Sequence, residues 1–509
     1  MLARVTSLAV LGVDAYPVQV EVDLAPGLPA FNLVGLPDGA VRESKERVRA
    51  ALINSGHFMP VNRITVNLAP ADVRKEGAAF DLPIALGILA AAGAIPAEAL
   101  LGLGVVGELA LDGALRPVRG VLPMAAAAAR EGLAAFVVPE ENAAEAAVVE
   151  GLVVLGARRL GQVVAHLVER ERLSPTAADP ALLLAQSQEY GLDLSEVRGQ
   201  EHVKRALTIA AAGGHNVLMV GPPGSGKTML ARRLPTILPP PTFAEALEVT
   251  RVASVAGVLP SGRALIGERP FRAPHHTVSD VGLIGGGSVP RPGEVSLAHH
   301  GVLFLDELPE FKRQVLEVLR QPLESGFVTV TRAAASVDFP ARFMLVAAMN
   351  PCPCGYHGDP ARTCTCSPQQ VRQYLARVSG PLLDRIDLQV EVPAVAFKEL
   401  AAETAGPGSA VLREQVVAAR QLQHQRLRSF GLFCNAQMNT ALTRRFCGLE
   451  AQGLRLLETA MARFKLSARA YGRILKIART IADLEGAPRI GLAHLSEAIG
   501  YRSLDRGMQ

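Results

Sequence analysis

Tryptophan is absent from the 509-residue chain, and aromatic residues of all kinds make up only 4% of it. That scarcity argues against a surface that stacks successive bases on a basic aromatic strip. No apolar run reaches the ~18 residues that a membrane-spanning helix needs. The opening stretch, MLARVTSLAVLGVDAYPVQVEV, breaks at Asp14 and Pro17 without a small-residue cleavage site. No secretory leader is expected, and the chain is placed in the cytoplasm. Cysteine is scarce too, at six residues. In a cytoplasmic chain disulfides are rare, so clustered thiols point to metal or redox chemistry. Neither sign of charge dominates, at 52 Lys+Arg against 48 Asp+Glu.

What charge there is sits unevenly. Residues 401–509 hold 16 Arg/Lys and 8 Asp/Glu, a net of +8, while the other 400 residues carry 36 against 40. A basic final segment suits an anionic partner such as a nucleotide or nucleic acid; a solvated helical surface would read the same way. The length allows about three domains. Residues 1–172 mix period-two runs, VQVEVDL (Val18–Leu24) and ITVNLAP (Ile64–Pro70), with a helical run at Glu43–Gly56. A hairpin is expected at Val105–Arg116 around Asp112-Gly113, and a helix at Met124–Gly132. This reads as an α+β domain. Residues 173–196, which include SPTAADP (Ser174–Pro180), read as a linker. Residues 197–395 alternate helices with short, wholly apolar strands, the mark of a parallel sheet buried on both faces. Residues 396–509 read as helices at Ala410–Ser429, Leu454–Arg463, Ala470–Leu484 and Leu492–Arg502.

The chemistry-bearing motif is GPPGSGKT, Gly221–Thr228, which follows the strand NVLMV and opens a helix. Glycines let backbone N–H groups turn toward phosphates, and a helix N-terminus adds positive partial charge. Gly221, Gly224, Ser225 and Gly226 would cradle the phosphates, Lys227 would contact the β/γ-phosphates, and Thr228 would ligate Mg²⁺. GVLFLDE (Gly301–Glu307) ends a buried strand in Asp306, suited to the Mg²⁺ shell, and Glu307, suited to polarising the attacking water. A third apolar strand, FMLVAAMN, ends in Asn350, within reach of a γ-phosphate. Arg385 lies in the turn of SGPLLDRIDL, and Arg469 opens the helix SARAYGRILKIARTIADL.

These elements in this order resemble an AAA+ ATPase. The resemblance implies ATP and Mg²⁺ as ligands, Asn350 as sensor 1, Arg385 as a finger acting on the neighbouring subunit's nucleotide, and Arg469 as sensor 2. Arg473, one turn on, competes for the last role, and Arg385 could instead form a structural ion pair. A finger in trans implies a ring, usually a hexamer. The stretches FRAPHHTVSDVGLIGGGSVPRPGEVSLAHHGVLFLDE and FVTVTRAAASVDFPARF look like the inserts of the branch holding magnesium chelatase subunit I and the MCM helicases. FNLVGLPDGAVRESKERVRAALINSG and NLAPADVRKEGAAFDLPIALGILAA are similar to the ComM/YifB family of magnesium chelatase-like ATPases, over essentially the whole chain. That family implies an ATP-driven hexameric motor on single-stranded and branched DNA, a helicase or branch-migration activity in the recombination that follows natural transformation. A chelatase-type motor remodelling a protein partner is the alternative, and a non-motor nucleotide switch a third. The N-terminal domain resembles the Lon protease fold without its chemistry: Ala79 falls at the serine position and Leu122 where lysine would fall, leaving no nucleophile or base.

The loop 350–368 gathers Cys352, Cys354, Cys364 and Cys366 as two Cys-x-Cys pairs. One structural Zn²⁺ would order a stretch that prolines and glycines keep irregular; redox-active or free thiols remain open, as does His357 replacing one ligand. Cys434 and Cys447 stand apart as core residues. His275-His276 with His299-His300 could form a metal set, or serve as core and interface residues. Gly285–Gly287 with Arg291, and Arg332 on the second insert, are candidate DNA contacts, which would make binding salt-dependent; pairing with neighbouring acids is the plainer alternative.

Overall fold

A computed structural model describes residues 1–179, 182–184, 191–260, 262–287, 290–332, 335–360, 362–395, 406–464 and 466–502. The N-terminal domain is built on an eight-stranded mixed sheet. Its order runs Pro175–Thr176, Val153–Ala157, Ala135–Pro139, Leu103–Val105, Leu2–Leu11, Asp14–Ala25, Arg63–Ala69, Ala30–Val34. The first two strands in the chain pair in register from Leu2 with Asp23 to Leu11 with Asp14, so Gly12 and Val13 form a tight turn. Gly12 supplies the positive φ, +67°, that such a turn requires.

The expected helix at Glu43–Gly56 runs Gly39–Asn54, capped by Asp38, whose carboxylate accepts the Val41 N–H at 2.7 Å. Helix Asp81–Ala91 is buried along its whole length, which is why its sequence shows no polar face. Asp81 pays for that position with the Arg47 guanidinium, which bonds both its oxygens at 2.6 and 3.0 Å. The expected hairpin forms between Glu108–Leu109 and Leu115–Arg116. Pro175 and Thr176, read as linker, instead add an edge strand against Leu155 and Val154. Two residues carry too little pattern to announce a strand.

The second body holds a five-stranded parallel sheet, ordered Phe271–Arg272, Val302–Leu305, Met344–Met349, Val217–Val220, Leu388–Glu391. The three central strands are buried at every residue, as uniformly apolar parallel strands should be. Two antiparallel hairpins are inserted. One pairs Gly285–Gly286 with Arg291–Pro292, and the other pairs Phe327–Arg332 with Ala335–Pro340. The C-terminal helices are Ser409–Leu427, Thr440–Phe446, Ala451–Phe464, Ala468–Leu484 and Leu492–Gly500. The helix at Thr440–Phe446 escaped the sequence reading because seven residues carry barely two turns of pattern.

The C-terminal helices are fixed to one end of the sheet. His215, fully buried just before the strand Val217–Val220, bonds Thr480 Oγ1 at 2.9 Å. Arg420 and Gln423 donate to the carbonyls of Ala211 and Ala212 at 3.0 and 3.1 Å. The N-terminal domain also touches the second body. Gly120 N–H donates to Ser254 O at 3.1 Å, and Val148 shares an apolar cluster with Ala246, Ala264 and Leu265. Val13 packs into the cluster that contains Val337 of the second hairpin.

Candidate active site

The loop after Val220 follows from its glycines. Gly224 and Gly226 take φ of +77° and +88°, and a helix begins at Lys227. Gly221 has no room for a side chain: a Cβ there would lie 2.0 Å from the Val392 carbonyl oxygen. Gln200, buried and at a φ of +56°, braces the loop from behind by donating to Ser225 O at 2.7 Å and Pro393 O at 3.1 Å. Nothing in the sequence pattern announces that brace, since a lone Gln carries no motif.

Three strand ends converge on this loop. Thr228 Oγ1 donates to Asp306 Oδ2 at 2.6 Å, bringing together the two oxygens suited to a hard divalent cation. Lys227 Nζ reaches Gly221 O, Pro222 O and Asn350 Oδ1 at 2.7, 2.8 and 3.3 Å. Burial lowers the Lys227 pKa, and Asp306 opposes that shift. Glu307 sits in a left-handed conformation, φ +52°, with its side chain 58% exposed. Its Oε2 lies 3.3 Å from His276 Nδ1, a partner the sequence reading missed. Lys227, Thr228, Asp306, Glu307 and Asn350 thus gather at the C-terminal end of the sheet, where parallel α/β sheets bind ligands.

Arg385 and Arg469 are not in that group. The strand Leu388–Glu391 runs parallel to Val217–Val220, pairing Val217 with Leu388 and Val220 with Glu391. Residues before Leu388 therefore lie at the end opposite the phosphate loop, about 10 Å away at ~3.3 Å per strand residue. There Arg385 pairs with Glu324 and donates to Pro381 O at 2.7 Å. Arg469 Nη1 approaches Asp384 Oδ2 at 3.3 Å, and Arg473 Nη1 donates to Ile386 O at 2.9 Å. The helix bearing Arg469 and Arg473 is held at this end by the Thr480–His215 bond.

Cys352, Cys354, Cys364 and Cys366 place their sulfurs within 4.8 Å of one another. The closest pairs are 3.3, 3.6 and 3.7 Å apart. A tetrahedral Zn²⁺ with Zn–S near 2.3 Å sets sulfurs about 3.8 Å apart, so the four thiols fit that ion. His357 is exposed and outside the cluster. Cys434 and Cys447 are buried, as core residues should be.

Glu248, His299 and His300 form the second group with metal-like spacing among the described residues. Hydrogen bonding explains it without a metal. His299 Nδ1 accepts the Arg342 N–H at 3.0 Å, so its proton sits on Nε2, which donates to Glu248 at 2.8 Å. A cation at Nε2 would force a proton onto Nδ1, facing another donor. His275 and His276 do not join them, since His276 turns to Glu307. Arg291 is exposed, and its charge reaches Glu76. Arg332 ends its strand opposite Ala335; its side chain lies outside the described residues.

The fold and site define a magnesium chelatase-like AAA+ module: a parallel sheet with its phosphate loop, and C-terminal helices. Three family models agree with it: "Magnesium chelatase, subunit ChlI" over residues 193–400, "Subunit ChlI of Mg-chelatase" over 20–142, and "Magnesium chelatase, subunit ChlI C-terminal" over 406–502. Competence protein ComM of Haemophilus influenzae is 49% identical across 100% of this chain and 99% of its own. The YifB protein of Salmonella typhimurium is 46% identical across 99% and 98%. The 38 kDa magnesium-chelatase subunit of Rhodobacter capsulatus is 28% identical over 59% of this chain and 83% of its own. The chain belongs to the ComM/YifB family of magnesium chelatase-like proteins. That family suggests ATPase activity with ATP and Mg²⁺. No helix among the described residues is long and apolar enough to cross a membrane.

Proposed function

We infer that this protein is a cytoplasmic ATPase that works as a hexameric motor on single-stranded and branched DNA, driving branch migration during natural transformation. The observation that carries the reading is the split of the site. Lys227, Thr228, Asp306, Glu307 and Asn350 stand at one end of the sheet, and Arg385 and Arg469 at the other. Half a site at each end is completed by stacking protomers head to tail in a closed ring. The lysine and the loop amides grip the triphosphate, and Thr228 with Asp306 would hold Mg²⁺, which supplies charge neutralisation at the β/γ-phosphates. Glu307, released from His276, orients the water, and Asn350 reads the γ-phosphate. The neighbour's Arg385 and Arg469 then stabilise the charge that develops as the bond breaks.

The full-length likeness to a competence protein supports DNA as the substrate. The N-terminal domain serves assembly or DNA contact as a Lon-like fold without acyl-transfer chemistry. Ala79 offers no hydroxyl, and the buried Lys75 amine is spent on Val73 O at 2.7 Å. The four thiols hold a structural zinc ion. The second reading, a motor that remodels a protein partner, draws on the likeness to magnesium-chelatase subunits. Steady-state ATP hydrolysis with and without single-stranded and branched DNA, beside native mass with and without ATP, separates them. Branched DNA should raise turnover several-fold in the assembled ring. Turnover indifferent to every DNA favours the second reading, and a chain that stays single under all nucleotide conditions removes both.

A further inference from the structure

The cysteine loop is wired into the nucleotide site at both of its ends. It begins two residues after Asn350, at Cys352, which is fully buried. Gly355, at a φ of +87°, seats directly on the phosphate loop. A Cβ there would lie 2.5 Å from Pro223 Cδ and 2.8 Å from Cγ, so nothing larger than glycine keeps the contact. The other end leads through Ser367, which accepts the Gln370 N–H at 3.3 Å, into the helix Pro368–Leu375. Tyr374 of that helix is buried and returns to the start. Burial pushes its hydroxyl up to about 12, while the Asn350 backbone amide beside it holds the shift back. The path Asn350, Cys352, Cys354, Gly355, Cys364, Cys366, Tyr374, Asn350 is thus a closed circuit with Pro223 resting on it.

Besides the sulfurs that join the circuit, Arg362 crosses the loop by donating to Tyr356 Oη at 2.7 Å. Between the two Cys-x-Cys pairs no strand or helix forms among the described residues. The two pairs also touch through the backbone, the Cys354 N–H donating to Cys366 Sγ at 3.4 Å. The geometry points to a working role for this knuckle. One zinc ion bound by Cys352, Cys354, Cys364 and Cys366 is the strut that fixes Asn350 relative to Pro223, so metal occupancy sets the rate of ATP cleavage. Nucleotide affinity depends on it less, because Gln200 braces the phosphate loop independently through Ser225 O. This rests on Lys227 and Asn350 forming the nucleotide site, and not on DNA being the substrate.

The test uses full-length protein without DNA. Metal analysis should find one zinc per chain. Removing it with a chelator should raise amide hydrogen exchange at residues 224–226 and 344–350 with ADP bound, and not only within 352–366. ATP turnover should fall at least tenfold, with the dissociation constant of a fluorescent ADP moving less than about threefold, below ~0.7 kcal/mol. Tyr374→Phe leaves all four thiols in place. It should retain zinc and lose several-fold in turnover, which separates the strut from simple misfolding of Cys364→Ser. Zinc-free native protein, or a metal-stripped protein whose 224–226 exchange is unchanged, overturns the proposal. A Tyr374→Phe variant with full turnover overturns it as well. Failure of DNA to stimulate hydrolysis leaves these readouts intact and bears only on the motor reading.

Discussion

Replacing Arg385 with alanine separates two roles that differ by orders of magnitude. Within one protomer Arg385 is paired with Glu324, whose side chain is 64% exposed. Ion pairs open to water on one side are worth about 0.2–1 kcal/mol. If that pair were its whole purpose, Arg385→Ala would lower the melting temperature by at most about 4 °C for a domain of this size and leave turnover near wild type. An arginine that reaches a neighbour's phosphates is worth about 10³–10⁵ in kcat, or ~4–7 kcal/mol of transition-state stabilisation. The expected result is a small thermal shift with a turnover loss of at least ~10³ in the assembled state. Mixing supplies the decisive arm. Lys227→Ala cannot bind nucleotide and Arg385→Ala cannot complete its neighbour's site, so each alone is inactive. In randomly mixed rings about one site in four pairs an intact phosphate loop with an intact arginine, and hydrolysis should recover to that extent. Turnover within about twofold of wild type in Arg385→Ala, or no recovery on mixing, would refute the split site.

Glu307→Gln should still bind ATP but release phosphate about 10²–10⁴-fold more slowly, read from bound nucleotide per chain beside a phosphate assay; a wild-type rate removes Glu307 from the water-orienting role. Gly221→Ala forces a Cβ to within 2.0 Å of Val392 O and should lower stability by about 1–3 kcal/mol in urea unfolding, together with nucleotide binding. Burial tends to raise the Asp387 carboxyl, but the His215 ring and the Arg473 and Lys476 charges outweigh it and hold the group at about 2. A folded value below the unfolded ~3.9 gives stability that is present above pH ~4 and lost as pH falls toward 2. Asp387→Asn should therefore flatten the acid limb of the denaturation curve and lower stability by about 2 kcal/mol at neutral pH. An acid limb as steep as wild type would place that stability elsewhere.

Legibility followed pattern length. The position of the glycine loop could be read because eight consecutive residues place it between the strand Val217–Val220 and the helix that begins at Lys227. The three central strands could be read because burial on both faces leaves no polar residue in them. Contacts between residues far apart in the chain left no trace. Gln200 reaches Ser225, His276 reaches Glu307, and Tyr374 reaches Asn350 through folding alone. His299 shows what residue types alone leave open. A metal set and a core role read the same in the sequence, and only the Arg342 amide on Nδ1 places the proton on Nε2, where a metal would need a lone pair.

The turn at Gly12–Val13 has a bearing on how this protein can be cut. A Cβ on Gly12 would fall 2.3 Å from Val337 Cγ1, and Val13 plugs the apolar cluster beneath the second inserted hairpin. Shearing the chain after Thr176 would strip that plug away and wet Val337, Ala246 and Leu265 at once. An isolated C-terminal fragment would carry a sticky scar in its place. The leading third of the chain is a cover for apolar surface that the second body cannot shield by itself.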